Sequence, residues 1–188
     1  MAPVANPLSV NRPEALPVED AFSLERQLVE LHPKSFGWAV ACCHYRRVEA
    51  EDVLQTSYLK VLSGRARFDG RSSFKTWLFG VIRRTAAEAR RRRFLHRLFL
   101  SRLERFGARA EAAPEQSSEP AVVLLLRQLA PRQHEVLELV FYQDLSISEA
   151  AAVMGVSVGS ARIHYERGKK NLRELLAIER DETSDDRK

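Results

Sequence analysis

The sequence predicts an all-α fold made of two small helical domains joined by a flexible linker, with a helix-turn-helix in the second domain. Apolar residues recur at spacings of three and four in both halves, and no segment alternates apolar and polar residues as a strand would. Between the halves, the segment 107–120 (GARAEAAPEQSSEP) is small, polar and proline-bearing, which is typical of a linker. We therefore expect a disordered arm at 1–18, a first domain at 19–97, a linker at 98–121, a second domain at 122–178 and an acidic tail at 179–188.

The composition indicates a globular protein with two modest cores. The 188 residues are 45% hydrophobic and 29% charged, which is too apolar for a wholly disordered chain. No run of about 18 apolar residues is present, and the first residues lack the basic start and apolar stretch of a signal peptide. We expect a cytoplasmic protein without membrane insertion.

The two cysteines, Cys42 and Cys43, are adjacent, and neighbouring cysteines rarely meet disulfide geometry. No Cys/His spacing resembles a zinc site. We interpret both as small core thiols in a reducing compartment, and we expect neither a metal nor a cofactor.

Positive charge is concentrated in two places, one in each half of the chain. The net charge is +5 and the sequence pI is about 9.5. Nine arginines lie between Arg83 and Arg105 against two glutamates, and a second basic cluster runs from Arg162 to Arg173. This distribution favours a polyanionic partner for both domains.

The first domain is predicted to be a set of helices separated by helix-breaking or helix-capping residues. The pattern from Val18 onward is helical, and Pro33 should break or kink it. A second helix is expected at 49–62, and a third begins at Phe74, capped by Ser72 or Ser73, and enters the arginine run. The apolar residues after position 93 either extend this helix or form a separate amphipathic segment.

The second domain carries a helix-turn-helix signal. Helices are expected at 122–129, 132–141, 146–154 and 158–178. The small residues Ala150, Ala151 and Ala152 allow close helix packing, Gly155 permits a left-handed turn, and Ser157 can cap the last helix. Val156 then enters the core with Ala161 and Tyr165. The alternative is a helical hairpin with a solvated basic face, which the order of these signals disfavours.

These segments resemble the C-terminal domain of sigma factors of the extracytoplasmic-function group. Residues 129–140 (LAPRQHEVLELV) and 144–151 (DLSISEAA) are similar to that family's LP-x-R-Q-R-E-V-L and G-L-S-x-x-E-I-A patterns. The family's domain binds the −35 promoter element. The resemblance implies −35 contacts on the last helix from Ser157, Ser160, Arg162, Ile163, His164, Arg167 and Lys169. Ile163 and His164 stand where polar and basic residues are usual, and His134 where arginine is common, so we expect an atypical base preference.

A second resemblance lies in the first domain, at residues 50–62 (AEDVLQTSYLKVL). They are similar to the family's A-E-D-L-V-Q-E-T-F helix, which contacts the clamp helices of the polymerase β′ subunit. The resemblance implies polymerase contacts from Glu51, Asp52 and Gln55. On local grounds alone, acidic residues at a helix start are explained as well by the helix dipole.

The most specific resemblance is residues 68–78 (FDGRSSFKTWL), which are similar to F-R-G-x-S-S-F-x-T-W-L. In the family this loop and the following helix recognise and open the −10 element, where a loop captures an unstacked base and cations hold the strand. Phe74, Trp77 and Leu78 are expected in the core. The implied −10 contacts are Phe68, Asp69, Arg71, Ser72, Ser73, Lys75, Thr76, Arg83, Arg84 and Arg90. Arg84 stands where the family usually has asparagine, which would raise nonspecific affinity or shift the −10 preference.

The leading hypothesis is therefore a non-enzymatic sigma factor that directs promoter-specific transcription initiation. Its implied partners are core RNA polymerase, through the β′ clamp helices and the β subunit, promoter DNA, and an anti-sigma factor. A stand-alone helix-turn-helix regulator, dimeric on a palindrome, is the alternative; it would not need the 68–78 loop. A nuclease or other enzyme is disfavoured because no carboxylate cluster or nucleophile–base spacing is present.

Overall fold

The computed structural model describes residues 18–103 and 121–185, and the side chains of 23–100 and 123–178. The predicted arm, most of the predicted linker and the end of the acidic tail lie outside the described residues. Within the described ranges the chain is helical and no strand is formed, so the all-α prediction is confirmed.

Three helices build the first domain: α1 (Val18–Cys42), α2 (Arg47–Leu62) and α3 (Phe74–Leu103). Trp38 and Phe79 form its centre, with stacked rings 6.0 Å apart. The Trp38 indole Nε1 donates to the Phe79 carbonyl oxygen at 3.0 Å, so this buried polar group is satisfied. Leu78 is fully buried beside them, as predicted, and α1, α2 and α3 all pack on this centre.

The structure shows whether α1 continues through Pro33 and how far α3 extends. Pro33 does not break α1, which is continuous over Val18–Cys42, so of the two predicted outcomes the break is excluded. Pro33 and Val29, four residues earlier, both face solvent, so water can satisfy the Val29 carbonyl that loses its helical donor. Beyond the arginine run, α3 simply extends to Leu103, with Phe94 and Phe99 exposed on it.

The second domain contains α4 (Ala121–Gln128), α5 (Pro131–Leu137), α6 (Ile147–Met154) and α7 (Val158–Asp185). The predicted single helix at 132–141 was wrong in one respect, because α5 passes into a π-helical turn at Glu138–Tyr142. In such a turn the helix carries one extra residue, and the Gln143 N–H bonds back to the Glu138 carbonyl at 3.2 Å.

The helix-turn-helix forms as the sequence predicted. The Ser146 side chain and Glu149 make a reciprocal capping box at the start of α6, and Gly155 ends that helix with a left-handed φ of 65°. The Ser157 hydroxyl accepts the Ser160 N–H at 3.1 Å and so caps α7. Farther along α7, a Cβ at Gly168 would lie 3.2 Å from the side chains of Gln133 and Leu137, which shows how closely α5 and α7 pack.

The two domains are docked against each other instead of holding two separate cores. One buried cluster continues from Phe79 and Ile82 of the first domain into Val136, Leu145 and Met154 of the second. Contacts between α3 and α6, and between α1 and the π-helical turn, join the domains. A smaller cluster of Leu126, Leu129 and Leu137 packs α4 and α5 on α7.

Candidate nucleic-acid interface

The loop between α2 and α3 is anchored by aromatic rings. Phe68 lies 5.6 Å from Phe74 and 5.4 Å from Trp77, measured between ring centroids, and Phe74 and Trp77 also contact each other. Phe74 and Trp77 are partly buried, whereas Phe68 remains 42% exposed. The aromatic cluster therefore fixes the loop on the first domain and leaves one edge of Phe68 accessible.

The polar residues of this loop fall into two groups. Ser73 caps α3, because its hydroxyl oxygen accepts the Thr76 N–H at 3.1 Å. Asp69 accepts the Arg71 N–H at 3.3 Å, which holds the turn around Gly70. The side chains of Arg71 and Asp69 also form an ion pair at 3.3 Å that is open to solvent, and Ser72 is partly exposed. Apart from Ser73, these polar groups remain available to an external partner.

Three predicted −10 residues are instead engaged by the second domain. Thr76 is 3% exposed, and its hydroxyl donates to Glu149 at 3.4 Å. The Lys75 ammonium donates to the Gln143 carbonyl, and Arg83 forms a two-point ion pair with Glu135. Burial, and then the nearby Lys34, lower the pKa of Lys75. The structure thus places these side chains at the domain junction.

Two further predicted −10 residues lie farther along α3, where solvent access is greater. Arg84 is exposed and its guanidinium lies beside Gly80. Arg90 is also exposed and lines a cleft of about 250 Å³ between the domains, together with Arg83, Arg132 and Glu135. The exposed part of α3 is therefore strongly cationic.

The predicted polymerase-binding residues lie together on the outer face of α2. Glu51, Asp52 and Gln55 are all exposed. Asp52 and Gln55 line a groove between α2 and α3, which Leu59 also lines with its 66% exposed side chain. Glu49, which was not among the predicted site residues, joins the walls of this groove through ion pairs with Arg46, at 2.6 Å, and Arg93. This face offers carboxylate, amide and apolar groups to a partner.

The first half of α7 presents the predicted −35 residues. Arg162, Ile163 and Arg167 are exposed, and Ile163 is 53% accessible. His164 and Ser160 are partly buried, while Ala161 is fully buried against the core. In the described part of the chain, the side chains of Arg162 and Arg167 are therefore open to solvent.

Two of the predicted −35 residues make local contacts on α7. Ser157 and Ser160 share a hydrogen bond of 2.9 Å at the helix start. The Lys169 ammonium lies 4.4 Å from the centroid of the Tyr165 ring and 2.9 Å from Glu166. Lys169 is therefore drawn along the helix toward these neighbours in this conformation.

Sequence reasoning missed the residues that join the domains. Tyr45 and His134 share a hydrogen bond of 3.1 Å, and burial lowers the pKa of His134. Lys34 pairs with Asp144 at 2.9 Å, and Asp144 has a left-handed φ of 52°. Burial raises the pKa of Glu138 to about 7. No local signal marks such residues, since each acquires its partner only when the domains meet.

Reactive thiols, metal sites and membrane-spanning helices remain to be considered for the part of the chain that the structure describes. Burial raises the pKa of Cys42, and that of Cys43 to about 11, so both remain neutral thiols near neutral pH, in agreement with core packing. The described residues contain no group of three His, Cys, Asp or Glu side chains placed to hold a metal ion. Among the helices at 18–103 and 121–185, none is long and apolar enough to cross a membrane.

Two family models match the two domains in order along the chain. The model of sigma-70 region 2 matches residues 28–94, and the model of sigma-70 region 4 matches residues 121–172. The first match contains α2, the aromatic loop and most of α3. The second contains the helix-turn-helix.

Curated relatives agree with the family models. The chain is 34% identical over 131 residues to the RNA polymerase sigma factor CarQ of Myxococcus xanthus, covering 68% of this chain and 74% of that protein. It is 31% identical to the probable RNA polymerase sigma-C factor of Mycobacterium bovis, covering 65% and 68%. It is 29% identical to the extracytoplasmic-function (ECF) RNA polymerase sigma factor SigX of Bacillus subtilis, covering 73% and 76%.

Solved structures show the same fold. The sigma factor RpoE of Bartonella quintana, solved with the anti-sigma factor NepR, superposes with a TM-score of 0.65 at 23% identity, covering 83% of this chain and 98% of that one. CnrH, solved with the cytosolic domain of CnrY, gives a TM-score of 0.59 at 24% identity, covering 85% and 94%. The chain belongs to the sigma-70 family of RNA polymerase sigma factors, in its extracytoplasmic-function group, and is a promoter-recognising transcription initiation factor.

Proposed function

We propose that this sigma factor binds core RNA polymerase through α2, reads the −35 element with α7 and reads and opens the −10 element with the aromatic loop and α3. The observation that carries this assignment is the pairing on one chain of an exposed reading helix and an aromatic-anchored loop beside a cationic helix. A stand-alone helix-turn-helix regulator needs the reading helix to bind duplex DNA, but it does not need the aromatic-anchored loop. The factor works with the polymerase and, like other sigma factors, is not itself an enzyme.

The −35 assignment is supported by the geometry of α7. An α-helix fits the major groove of B-DNA, and its N-terminal residues then meet the base edges. Arg162 and Ile163 are exposed in the second turn of α7, while Arg167 lies one turn farther on. We assign base reading to Arg162 and Ile163, with His164 beside them, and phosphate contact to Arg167 and Lys169.

The −10 assignment is supported by the loop and the cations behind it. A base that leaves the stack needs a fixed platform with accessible polar and aromatic groups, and Phe68, Asp69, Arg71 and Ser72 provide these. Arg84 and Arg90 extend a positive surface along α3 from the loop. They would hold the phosphates of the displaced strand.

The polymerase assignment rests on the exposed face of α2. Glu51, Asp52 and Gln55 point outward, and the adjacent groove between α2 and α3 has a volume of about 430 Å³. We assign this face to the clamp helices of the β′ subunit, with the β subunit contacting the second domain. One structural neighbour was solved with an anti-sigma factor, so we propose that such a partner also regulates this protein, in the cytoplasm.

Transcription in vitro tests the proposal directly. Core polymerase is mixed with the full-length chain and a library of templates with random upstream sequence, and the transcripts are sequenced. The proposal predicts initiation from a subset of templates that share two motifs at fixed spacing. Core enzyme that starts at no template would contradict it, and tight binding of a duplex palindrome without polymerase would favour the stand-alone regulator.

A further inference from the structure

Glu166 is an acidic residue on the face of α7 that we assign to the −35 element. It lies four residues after Arg162 and three after Ile163, and its side chain is 61% exposed. Residues three and four apart share one face of a helix, so Glu166 stands beside these two exposed residues. Ala161, which is fully buried, lies on the opposite side of α7. The proposed reading face therefore contains a carboxylate.

The charge of Glu166 is opposite to that of its surroundings. Four cations lie close to it along α7, namely Arg162, Arg167, Lys169 and Lys170. DNA phosphates are attracted to these cations and are repelled by a carboxylate. A carboxylate that enters the groove therefore lowers affinity for DNA, unless the edge of a base donates a hydrogen bond to it.

The neighbouring lysine does not account for both oxygens of this carboxylate. The Lys169 ammonium lies 2.9 Å from Oε1 of Glu166, and Lys169 also lies over the Tyr165 ring. Oε2 of Glu166 has no ion-pair partner among the described residues. An exposed pair three residues apart also adds little to stability. One acceptor oxygen on the reading face thus stays available to DNA.

Gly159 lies on the same face, seven residues before Glu166, and leaves its first turn without a side chain. A Cβ added there would meet only the Ser157 Oγ, at 3.9 Å, so packing of the described chain does not require a glycine. Gly168 differs, because a Cβ there would lie 3.2 Å from α5 side chains. The bare turn at Gly159 lets the α7 backbone come close to DNA, which brings a side chain as short as glutamate within reach of the bases.

The chemistry of the base edges then decides which base a carboxylate selects. In the major groove, cytosine presents the N4 amino donor, whereas guanine presents the acceptors O6 and N7 and thymine presents the acceptor O4. Adenine presents a donor beside the acceptor N7. An ionised carboxylate only accepts hydrogen bonds, so cytosine is the base that suits it best.

We propose that Glu166 is a base-reading residue of this factor, which accepts a hydrogen bond from the N4 amino group of a cytosine at one position of the −35 element. Arg162, one turn earlier on α7, reads a neighbouring position. The inference rests on the proposed −35 function of α7 and adds to it the base that is selected at one position.

The experiment measures base preference with the full-length chain bound to core polymerase. Promoter templates carry a randomised −35 element, and the templates that the holoenzyme binds are sequenced. The wild-type factor should prefer cytosine at one position by roughly five- to 100-fold over the other bases. Glu166→Gln should prefer adenine at that same position, because an amide can pair with both N6 and N7 of adenine. Glu166→Ala should show no preference there.

The matched control is Glu174→Gln, which removes the same charge from the same helix. Glu174 lies two turns farther along α7, and its side chain is 62% exposed, so the two glutamates differ mainly in their distance from the reading turns. Base preference of this control should equal that of the wild type at every position. Circular dichroism establishes that all variants remain helical.

The outcomes separate this proposal from the −35 assignment on which it rests. If both Glu166 variants bind every −35 sequence more tightly by one common factor, the carboxylate only repels phosphate and the proposal is overturned. Base preferences that stay the same in both variants overturn it as well, while the −35 assignment of α7 stands. If the wild-type holoenzyme selects no base at any −35 position, the assignment and the proposal fail together.

Discussion

The two proposed DNA-reading surfaces of this sigma factor are presented in opposite ways. One face of the first turns of α7 is open to solvent, with Arg162 and Ile163 exposed. The α3 side of the −10 face is partly enclosed, with Thr76 buried and Arg83 paired to Glu135. The difference teaches that the proposed −35 helix is open to duplex DNA as it stands, whereas part of the proposed −10 face already has partners in the second domain.

The largest effect is expected from a substitution that removes part of the hydrophobic core that both domains share. Phe79 is fully buried at the junction and stacks on Trp38. Phe79→Ala should lower the free energy of unfolding by about 3–5 kcal/mol, because it leaves a large cavity. Urea unfolding followed by circular dichroism measures the loss.

A substitution on the same helix but outside the core provides the control. Phe94 is 63% exposed, so Phe94→Ala should change stability by less than about 0.5 kcal/mol. Because the buried cluster is continuous, both domains should unfold in a single transition. Two separate transitions, with only one shifted by Phe79→Ala, would mean that the domains are not coupled.

The second prediction concerns Glu138, a buried carboxyl in the π-helical turn whose Oε2 atom has no hydrogen-bond partner among the described residues. Burial raises its pKa from 4.5 to about 7, so the folded chain binds this proton more tightly than the unfolded chain does. The carboxyl's contribution to stability is therefore greatest below pH 4.5 and is lost as the pH rises through 7. Glu138→Gln should abolish this dependence and stabilise the protein by about 1–3 kcal/mol at pH 8.

Urea midpoints of the wild type and Glu138→Gln between pH 4.5 and 8 measure this effect. The difference between the two proteins should grow as the pH rises through the pKa of Glu138, which burial raises to about 7. Parallel pH profiles would show that ionising Glu138 in the folded protein does not lower the free energy of unfolding. Such a result would weaken the picture of a dry domain junction.

The third prediction concerns α7, the exposed one of the two surfaces compared. If Arg162 reads a base, Arg162→Ala should lose about 1–3 kcal/mol of binding at one −35 position and relax selectivity there. Binding of polymerase holoenzyme to templates varied one position at a time provides the measurement. Arg173→Ala, farther along α7 and also exposed, is the matched control. An equal loss at every sequence would instead assign Arg162 to a phosphate.

The smallest effect on stability is expected at α2. Asp52 and Gln55 are exposed, so alanine at both positions should change the free energy of unfolding by less than about 0.5 kcal/mol. Association with core polymerase, measured by pull-down at equal protein concentrations, should nevertheless weaken. Unchanged recovery of core enzyme would remove α2 from the polymerase-binding surface.

The features that could be predicted from the sequence are those with local causes. The helix-turn-helix follows from residues within one short segment, among them Ala150, Gly155 and Ser157, and the structure forms it as expected. The aromatic anchoring of the −10 loop likewise involves Phe68, Phe74 and Trp77, which are close in sequence. Each of these features depends on residues that lie close together in the sequence.

The docked arrangement could not be predicted in the same way. Lys34 and Asp144 are 110 residues apart, and Arg83 and Glu135 are 52 apart. A charged residue in a helical pattern is expected to face solvent, and the sequence does not reveal that its ion-pair partner lies in the other domain. Pro33 illustrates the same limit in reverse, because its usual effect on a helix is offset by the packing of α1 on α2 and α3.

The π-helical turn at Glu138–Tyr142 has a consequence for how this protein can change through insertion or deletion. Because an α-helix advances by about 100° per residue, removing one residue here would restore regular α-helix and rotate everything downstream about the α5 axis by that angle. Asp144 and the start of α6 would then face away from Lys34 and Thr76. A change of one codon would thus be enough to alter how α6 and α7 meet both α5 and the first domain.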